Sequence, residues 1–521
     1  MKVDRSMIEA TNVKVESATV INSATVPRLD QNKTPYFDAL RDYVDSGTQS
    51  FHTPGHKQGV GMHKRLRDFI GDNVLSIDLT QIRGLDDLNQ PEGPILEAMR
   101  LAAQAYGADH TYFLVNGSTA GNQAMLMTAL RPGDKVLLPR NSHKSATSAL
   151  IMSATHPVYM PPEVDHELHI DHCVTPETVA ASLERHPDAA SVFITSPTYY
   201  GSTADLAAIE RIVHAREKIF LVDEAWGPHL HFHPELPPSA TSVGADACVN
   251  STHKLLAGMS QASMLHAIGK RIDRGRLRST LRIFQSTSPQ LVLLASLDVS
   301  RMQMATEGEA LLTRALALAR DARRRLNELP GVYCMGPDQI GRPGIAGYDE
   351  TRLVITVKDL GYTGYEAERI LRMRYNVQVE LADLFNVVAL LTIGDTESSV
   401  NKLVDAVSEL AREDRPIDIY APTGVLERRL KRGTYRIPPI PELVVTPREA
   451  FLSDYVEVPF KKSAGRVCVE VVTPYPPGIP ILCPGERITQ DTIEYLRLEL
   501  KAGVHIQGPV DERLGTIRVL P

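Results

Sequence analysis

Cysteine is scarce in these 521 residues: Cys173, Cys248, Cys334, Cys468 and Cys483 are all there is, and no two stand at metal-ligand spacing. A sparse, odd set of this kind excludes a disulfide framework and a cysteine-based zinc site. It fits reduced thiols in a cytosolic protein, most of them serving as small buried hydrophobes. Long apolar runs are missing as well, so a membrane-spanning helix is not expected. Residues Met1 to about Val26 carry Lys2 and Arg5 but no continuous apolar core, which makes this arm neither a secretory signal nor a membrane span. Positive charge is not in excess: the net charge is -7, and a general nucleic-acid binder needs a surplus of Lys and Arg to meet phosphates. Tryptophan is rarest of all, with Trp226 alone.

What is there is a soluble, globular composition, 43% hydrophobic and 23% charged, in a chain too long for one ordinary core. Four parts are expected: an N-terminal arm and helix over 1–50, a large domain over 51–320, a smaller α/β domain over 321–415 and an α+β domain over 416–521. The first helix reads from Tyr36 to Tyr43. Two turn-rich loops follow, Phe51 to Gly59 with His52, His56 and Lys57, and Gly84 to Gly93 with Asp86 and Asp87. The two histidines lack a carboxylate or cysteine at ligand spacing, so an edge or interface loop is expected there rather than a metal.

From about residue 110 short β-branched runs alternate with helical stretches: Thr111 to Val115, Lys135 to Pro139, Ser191 to Ser196, Lys218 to Val222 and Ala247 to Asn250. Intervening segments of crossover length predict a mostly parallel sheet covered on both faces. Ligands of such sheets sit beyond the carboxyl ends of the strands. Residues 288 to about 330 read as long helices whose Arg320 to Arg325 run is a solvated face. Strand signals over Arg352 to Val357 and Asn386 to Ile393 flank a helix from Gly364 to Tyr375, and a helix over Ser398 to Glu413 closes this part. Beyond Arg415 prolines multiply (Pro416, Pro422, Pro438, Pro439, Pro441), yet strand-like Val467 to Val472 and Thr516 to Leu520 and a helix over Thr489 to Ala502 predict an ordered domain.

The polar clusters fall directly after the strands. Asn116-Gly117-Ser118-Thr119-Ala120-Gly121-Asn122 opens a helix, where N–H groups and hydroxyls can cradle a phosphate; the same residues are ordinary capping chemistry. Asn141-Ser142-His143 offers an imidazole that could lie against a flat ring or be a hydrogen-bonded surface histidine. Asp223 ends an apolar strand, where an acid is costly without a partner such as a protonated pyridine nitrogen; Ala225 is small enough to sit under a ring. Lys254, in Ser251-Thr252-His253-Lys254, lies among small residues that leave its amine poorly solvated and nucleophilic. Together these are the components for holding pyridoxal phosphate.

The sequence resembles the ornithine/lysine/arginine decarboxylases, pyridoxal-phosphate enzymes of fold type I (the aspartate-aminotransferase fold). Val249 to Ser263 fits that family's lysine motif at every position. His52-Thr53-Pro54-Gly55-His56, Ser196-Pro197-Thr198-Tyr199-Tyr200-Gly201, Thr287-Ser288-Pro289 and Thr473-Pro474-Tyr475-Pro476-Pro477-Gly478-Ile479-Pro480 support it. The resemblance implies that Lys254 binds the cofactor's aldehyde, that Ser118, Thr119, Ser251 and His253 lie near its phosphate, that His143 stacks on its ring and that Asp223 pairs with its nitrogen. It implies decarboxylation of a basic amino acid, arginine first and then lysine or ornithine, to an amine of polyamine metabolism. An oxidative reaction on the same scaffold and an inactive regulatory relative are the alternatives. It also implies a cytoplasmic homodimer or larger homo-oligomer without a metal, and without nucleic-acid or membrane partners. Glu380 and Asp383 are candidates for holding the substrate's basic tail, with Asp86 and Asp87 as a second option. One departure stands out: many shorter members resemble Asp-Glu-Ala-His-Gly-Ala-His where this chain has Trp226 and Pro228, which bears on pocket shape.

Overall fold

An uncharged run such as Ile219-Phe220-Leu221-Val222 suits a strand buried on both faces, and its alternate side chains enter two separate cores. Seven such strands make the central sheet of the computed structural model: β1 (His110–Leu114), β2 (Lys135–Pro139), β3 (His156–Met160), β4 (Ala189–Thr195), β5 (Ile219–Asp223), β6 (Ala247–Asn250) and β7 (Ser263–Ala267). Their order is β1-β7-β6-β5-β4-β2-β3. β3, β2, β4, β5 and β6 run parallel, while β7 is antiparallel to both β6 and β1. The five runs read from sequence agree with the observed strands to within two residues. β3 and β7 were not anticipated: Pro157 makes β3 look broken although Pro is tolerated in this edge strand, and β7 follows its neighbour across a loop too short for a crossover helix. Because β7 reverses direction twice over, β1 is parallel to the rest. One edge of the sheet therefore collects the carboxyl ends of β1, β2, β4, β5 and β6 and the amino end of β7.

The structure describes residues 28–413, 437–475 and 478–521. The N-terminal arm, Pro416, Pro422, Pro476, Pro477 and the boundary drawn at 415/416 lie outside them. The chain divides into residues 1–30 and 31–521; of the first unit only 28–30 are described, and they are exposed.

Within the second unit, α1 (Pro35–Asp45) and α2 (Pro94–Ala105) pack with the first half of a 37-residue helix. α3 (Gly117–Ala129) and α4 (Lys144–Ser153) cover one face of the sheet. The 37-residue helix is α5 (Leu291–Asn327), a single helix where several were expected, because no proline interrupts it and its one glycine, Gly308, is tolerated inside. It passes through the 320/321 boundary and into the core of a second sheet, β8 (Tyr333–Cys334), β9 (Arg352–Thr356), β10 (Leu381–Ala382) and β11 (Asn386–Leu390), ordered β8-β9-β11-β10 and antiparallel. α6 (Gly364–Tyr375) and α7 (Glu397–Arg412) pack on that sheet. The arginine run on α5 is solvated only in part, which corrects the expectation. Arg323 is buried and donates to the carbonyls of Met335 (2.8 Å), Glu350 (2.9 Å) and Arg352 (2.7 Å), a load a guanidinium's fixed fork can satisfy.

The C-terminal part mixes α8 (Gln490–Ala502) with two-stranded pairs, Val456–Pro459 on Thr516–Val519 and Thr473–Tyr475 on His505–Gln507. Val467 to Val472 is not a strand, contrary to expectation: it makes single bridges to Arg487, Val519 and Leu482, three different partners that no one ladder can serve.

A buried ion pair ties residues 31–36 to α5. Asp298 and Arg301 are both fully buried at 2.6 Å; Asp298 accepts from the Tyr36 N–H (2.9 Å), and Arg301 donates to the carbonyls of Gln31 (2.8 Å) and Lys33 (2.6 Å). Arg301→Ala leaves a buried carboxylate uncompensated and is expected to cost about 3–5 kcal/mol. A denaturant midpoint unchanged from wild type would refute this.

Candidate active site

The site assembles at the shared edge of the sheet. Asp223 is the last residue of β5, 3% exposed, and its neighbours in register are Thr195 and Val249. Its carboxylate accepts from the Asn122 side-chain amide (2.8 Å) and from the Ala225 N–H (3.1 Å). Burial raises its pKa, while the nearby Lys254 charge acts against that rise. Asn122 gives its second N–H to Ser145 Oγ (3.0 Å), which links the starts of α3 and α4 to the acid. α3 lies tight on the sheet because position 121 is glycine: a Cβ there would stand 2.4 Å from Val249 Cγ2.

At the first turn of α3, Ser118 Oγ meets Ser251 Oγ at 2.6 Å and Ser263 Oγ at 3.4 Å. These hydroxyls come from the ends of three strands, the third made available by the reversed direction of β7. Thr119 is exposed beside them, at a helix start whose free N–H groups favour an anion. His253 donates from Nδ1 to the Ala262 carbonyl (2.9 Å), which leaves Nε2 as an acceptor, and burial lowers its pKa. His143 caps α4: its Nδ1 accepts from the Ser145 N–H (3.2 Å), so the neutral ring carries its proton on Nε2. Burial, then the charges of Lys254 and Lys144, pull its pKa down to about 3, so the ring is neutral at pH 7.

Lys254 stands on the short helix Thr252–Leu255 with Nζ 3.6 Å from the centre of the Trp226 ring. Desolvation lowers its pKa to about 8; Asp223 and Glu380 oppose the shift, and Arg352 adds to it. Arg352, fully buried at the start of β9, donates to the Trp226 carbonyl (2.7 Å) and places its guanidinium 5.0 Å from the same ring. The Tyr199 ring lies 5.7 Å from Trp226.

Asn122 and Arg352 carry site geometry that the sequence reading missed. An Asn one turn after Ser118, on the same face of the helix, was the available signal for the first. An arginine opening the buried run Leu353 to Ile355 was the signal for the second. Of the tail candidates, Glu380 is exposed within the electrostatic reach of Lys254 and Arg352. Asp383 is instead engaged by the N–H groups of Phe385 and Asn386 (both 2.8 Å), by the Asn386 amide (3.0 Å) and by the Tyr200 hydroxyl (2.9 Å). Asp86 accepts from the N–H groups of Gly93 (2.8 Å) and Ile95 (3.0 Å) and so caps α2, while Asp87 accepts from Asn89 N–H (2.8 Å). His52 meets the Tyr43 hydroxyl (2.7 Å) and His56 meets Asp78 (3.1 Å); no metal-ligand cluster occurs among the described residues.

The residues at this edge fit pyridoxal phosphate. A buried acid, a lysine amine of depressed pKa, a neutral imidazole and hydroxyls at a helix start are the groups such a cofactor engages. Asn122 Oδ1, on the side chain that donates to Asp223, is buried with no hydrogen-bond partner among the described residues, as expected where a polar ligand is seated.

Residues 34–399 match the profile of the Orn/Lys/Arg decarboxylase major domain, and residues 429–513 that of the Orn/Lys/Arg decarboxylase C-terminal domain. An arginine decarboxylase of Bacillus anthracis is 44% identical over 496 residues, 95% of this chain and 98% of that protein. An arginine decarboxylase of Bacillus subtilis (strain 168) is 43% identical over 94% of this chain and 99% of its own. Among solved structures, the lysine decarboxylase LdcF of Francisella novicida superposes with a TM-score of 0.81 at 23% identity, covering 94% of this chain and 81% of that one.

Proposed function

Because the chain belongs to the Orn/Lys/Arg decarboxylase family, we propose that it converts L-arginine to agmatine and CO2, with lysine and ornithine as the next candidates. The choice of arginine rests on one observation: the 43–44% identity to arginine decarboxylases runs nearly end to end in both partners. The enzyme is a pyridoxal-phosphate decarboxylase of fold type I. When bound, the cofactor supplies an electron sink for the bond between Cα and the departing carboxylate.

The chain's own residues do the rest. Lys254 Nζ, with a pKa near 8, keeps an appreciable unprotonated fraction at neutral pH and would hold the cofactor through its aldehyde. Asp223 would hold the proton on the ring nitrogen, its carboxylate kept oriented by the Asn122 amide. Ser118, Thr119 and Ser251 would take the phosphate. Ala225 and the neutral His143 leave apolar, uncharged surfaces for the ring. Trp226 shields the Lys254 amine from water, and Arg352 fixes the Trp226 backbone. We assign the return of a proton to Cα to Lys254 Nζ or His253 Nε2. Glu380 is the acid for the guanidinium tail, since it already acts electrostatically on Lys254.

The protein works as a homodimer or larger homo-oligomer in the cytoplasm, in polyamine metabolism. Phe51 (92% exposed), Val60, Phe69 and Val74 put apolar surface on one stretch of chain, which a second copy would cover. All five cysteines are free and buried, in keeping with a reducing compartment, and no described helix is long and apolar enough to cross a membrane. The test is incubation of the holoenzyme with arginine, lysine and ornithine separately, measuring CO2, amine by mass, and oxygen. One agmatine per CO2 without oxygen uptake is expected. Faster turnover of lysine or ornithine would reassign the substrate, and stoichiometric oxygen uptake would replace decarboxylation with an oxidative reaction.

A further inference from the structure

His143 lies on a loop that the C-terminal part grips from both sides. The loop runs from the end of β2 at Pro139 to the start of α4 at Lys144. Arg140, its first residue, is bonded into the C-terminal part. Its guanidinium donates to the Ile481 carbonyl (3.0 Å), the Glu486 carboxylate (3.0 Å) and Cys483 Sγ (3.1 Å), with the Tyr159 ring 4.8 Å away. Just beyond His143, the Lys144 N–H donates to the Gly478 carbonyl at 3.3 Å. The Lys144 amine donates to the Gln507 side chain (3.0 Å) and stands 5.4 Å from the centre of the Tyr475 ring. Gly478 also lies against the imidazole: a Cβ there would stand 3.7 Å from His143 Cδ2, and its φ of +94° is one that glycine adopts freely. The large domain holds the same loop through Asn141, which donates to the His172 carbonyl (2.9 Å), and through Ser142 Oγ on the Pro139 carbonyl (2.8 Å).

The Arg140–Glu486 pair is a poor way to stabilise a fold. Glu486 is fully buried and Arg140 nearly so, which takes two charges out of water. Glu486 Oε2 is satisfied by Arg140 and by the Cys483 N–H (2.7 Å), yet Oε1 is buried with no hydrogen-bond partner among the described residues. Burial accordingly raises the Glu486 pKa, against the pull of the Arg140 charge. Two apolar side chains of similar volume would join these parts at least as firmly. They would not fix direction. A planar guanidinium with three acceptors is held in one orientation, and it fixes the backbone that carries it. That backbone is three residues from His143.

We propose that Arg140 and Glu486 are positioning residues for His143: through them, and through Gly478 and Gln507 at Lys144, the C-terminal part sets the imidazole against the face of the cofactor ring. The role rests on the reading of His143 as the ring-stacking residue. Stacking needs the two planes offset, near parallel and in contact, so a small rotation of this loop loses it while the contacts at Ser118 and Asp223 stay in place. Turnover thereby depends on a part of the chain that supplies none of the groups assigned to the chemistry.

The test measures how fast the holoenzyme loses its cofactor on dialysis, in Glu486→Gln, in His143→Ala and in the double variant. Glu486→Gln keeps the shape of the side chain and removes its charge. Release about tenfold faster is expected, the scale of one buried charge-assisted hydrogen bond, with at least as large an effect in His143→Ala. The double variant should release no faster than His143→Ala, because both substitutions act through one contact. Gln507→Ala loosens the other side of the loop without opening the core and should release the cofactor severalfold faster. It decides alone if Glu486→Gln does not fold, and wild-type release from it then overturns the proposal. A lowered melting temperature with wild-type release in Glu486→Gln makes the pair merely structural and overturns it too, as does a double variant in which the two effects multiply. Wild-type release from His143→Ala marks a different failure: the stacking reading falls, and the positioning role falls with it.

Discussion

Lys254→Ala lowers CO2 release by roughly four to six orders of magnitude, the scale seen when a nucleophile that acts as part of a unit is removed. Among the described residues, the substitution takes away the one lysine whose amine is both close to Asp223 electrostatically and depressed to a pKa of about 8. Its surroundings keep their shape, because the Ser118–Ser251 contact, the Asn122–Asp223 bond and the His143 cap involve other residues. On the proposed roles the phosphate and ring contacts should remain, and the variant is expected to lose the covalent link rather than the fold. The visible absorbance band that survives dialysis in wild type should be lost in the variant. The pH dependence has a definite sign. In the cofactor-free protein, capture of the aldehyde needs the unprotonated amine, so its rate climbs as pH rises toward about 8 and levels above it. Persistence of the dialysis-stable band in Lys254→Ala would end the assignment.

Asp223→Ala is the second large effect, about a thousandfold loss in kcat, equivalent to roughly 4 kcal/mol of barrier. The cause differs from that of Lys254. A buried carboxylate whose pKa is raised by desolvation is an expensive group to keep, and in the proposed role it would lower that cost by pairing with a proton-bearing nitrogen. Removing it leaves the ring nitrogen without a stabilised proton, so the electron sink weakens while phosphate contacts still hold the cofactor. Cofactor content measured after gel filtration should fall far less than turnover. Activity within tenfold of wild type would sink the role given to Asp223.

The gathering of Ser118, His143, Asp223 and Lys254 at one edge of the sheet was legible in the sequence, because parallel strands deliver their carboxyl ends to one edge and position in the alternating pattern predicts position in space. The fold class was legible for the same reason. What was not legible depends on partners far apart in the chain. Nothing local to Arg352 says that its guanidinium will bond the carbonyl of Trp226, 126 residues away. Arg323 looked like one of a row of solvated arginines until β8 and β9 brought three carbonyls to it. Asp383 read equally as an acid for the substrate's tail or as one that caps the connection before the strand, and the turn into β11 folds Asn386 back onto it. The segment Val467 to Val472 has strand composition, but composition cannot tell a ladder from a series of single bridges to three neighbours.

The lone tryptophan has a consequence for how this enzyme can be watched. Trp226 sits 3.6 Å from the Lys254 amine and 5.0 Å from the Arg352 guanidinium, and the chain contains no other indole. Its emission is thus a background-free optical reading of the space around Lys254. Cofactor loading, neutralisation of the lysine's charge and the docking of β9 through Arg352 each alter the field at that one ring. The unmodified protein carries its own spectroscopic label where the chemistry takes place.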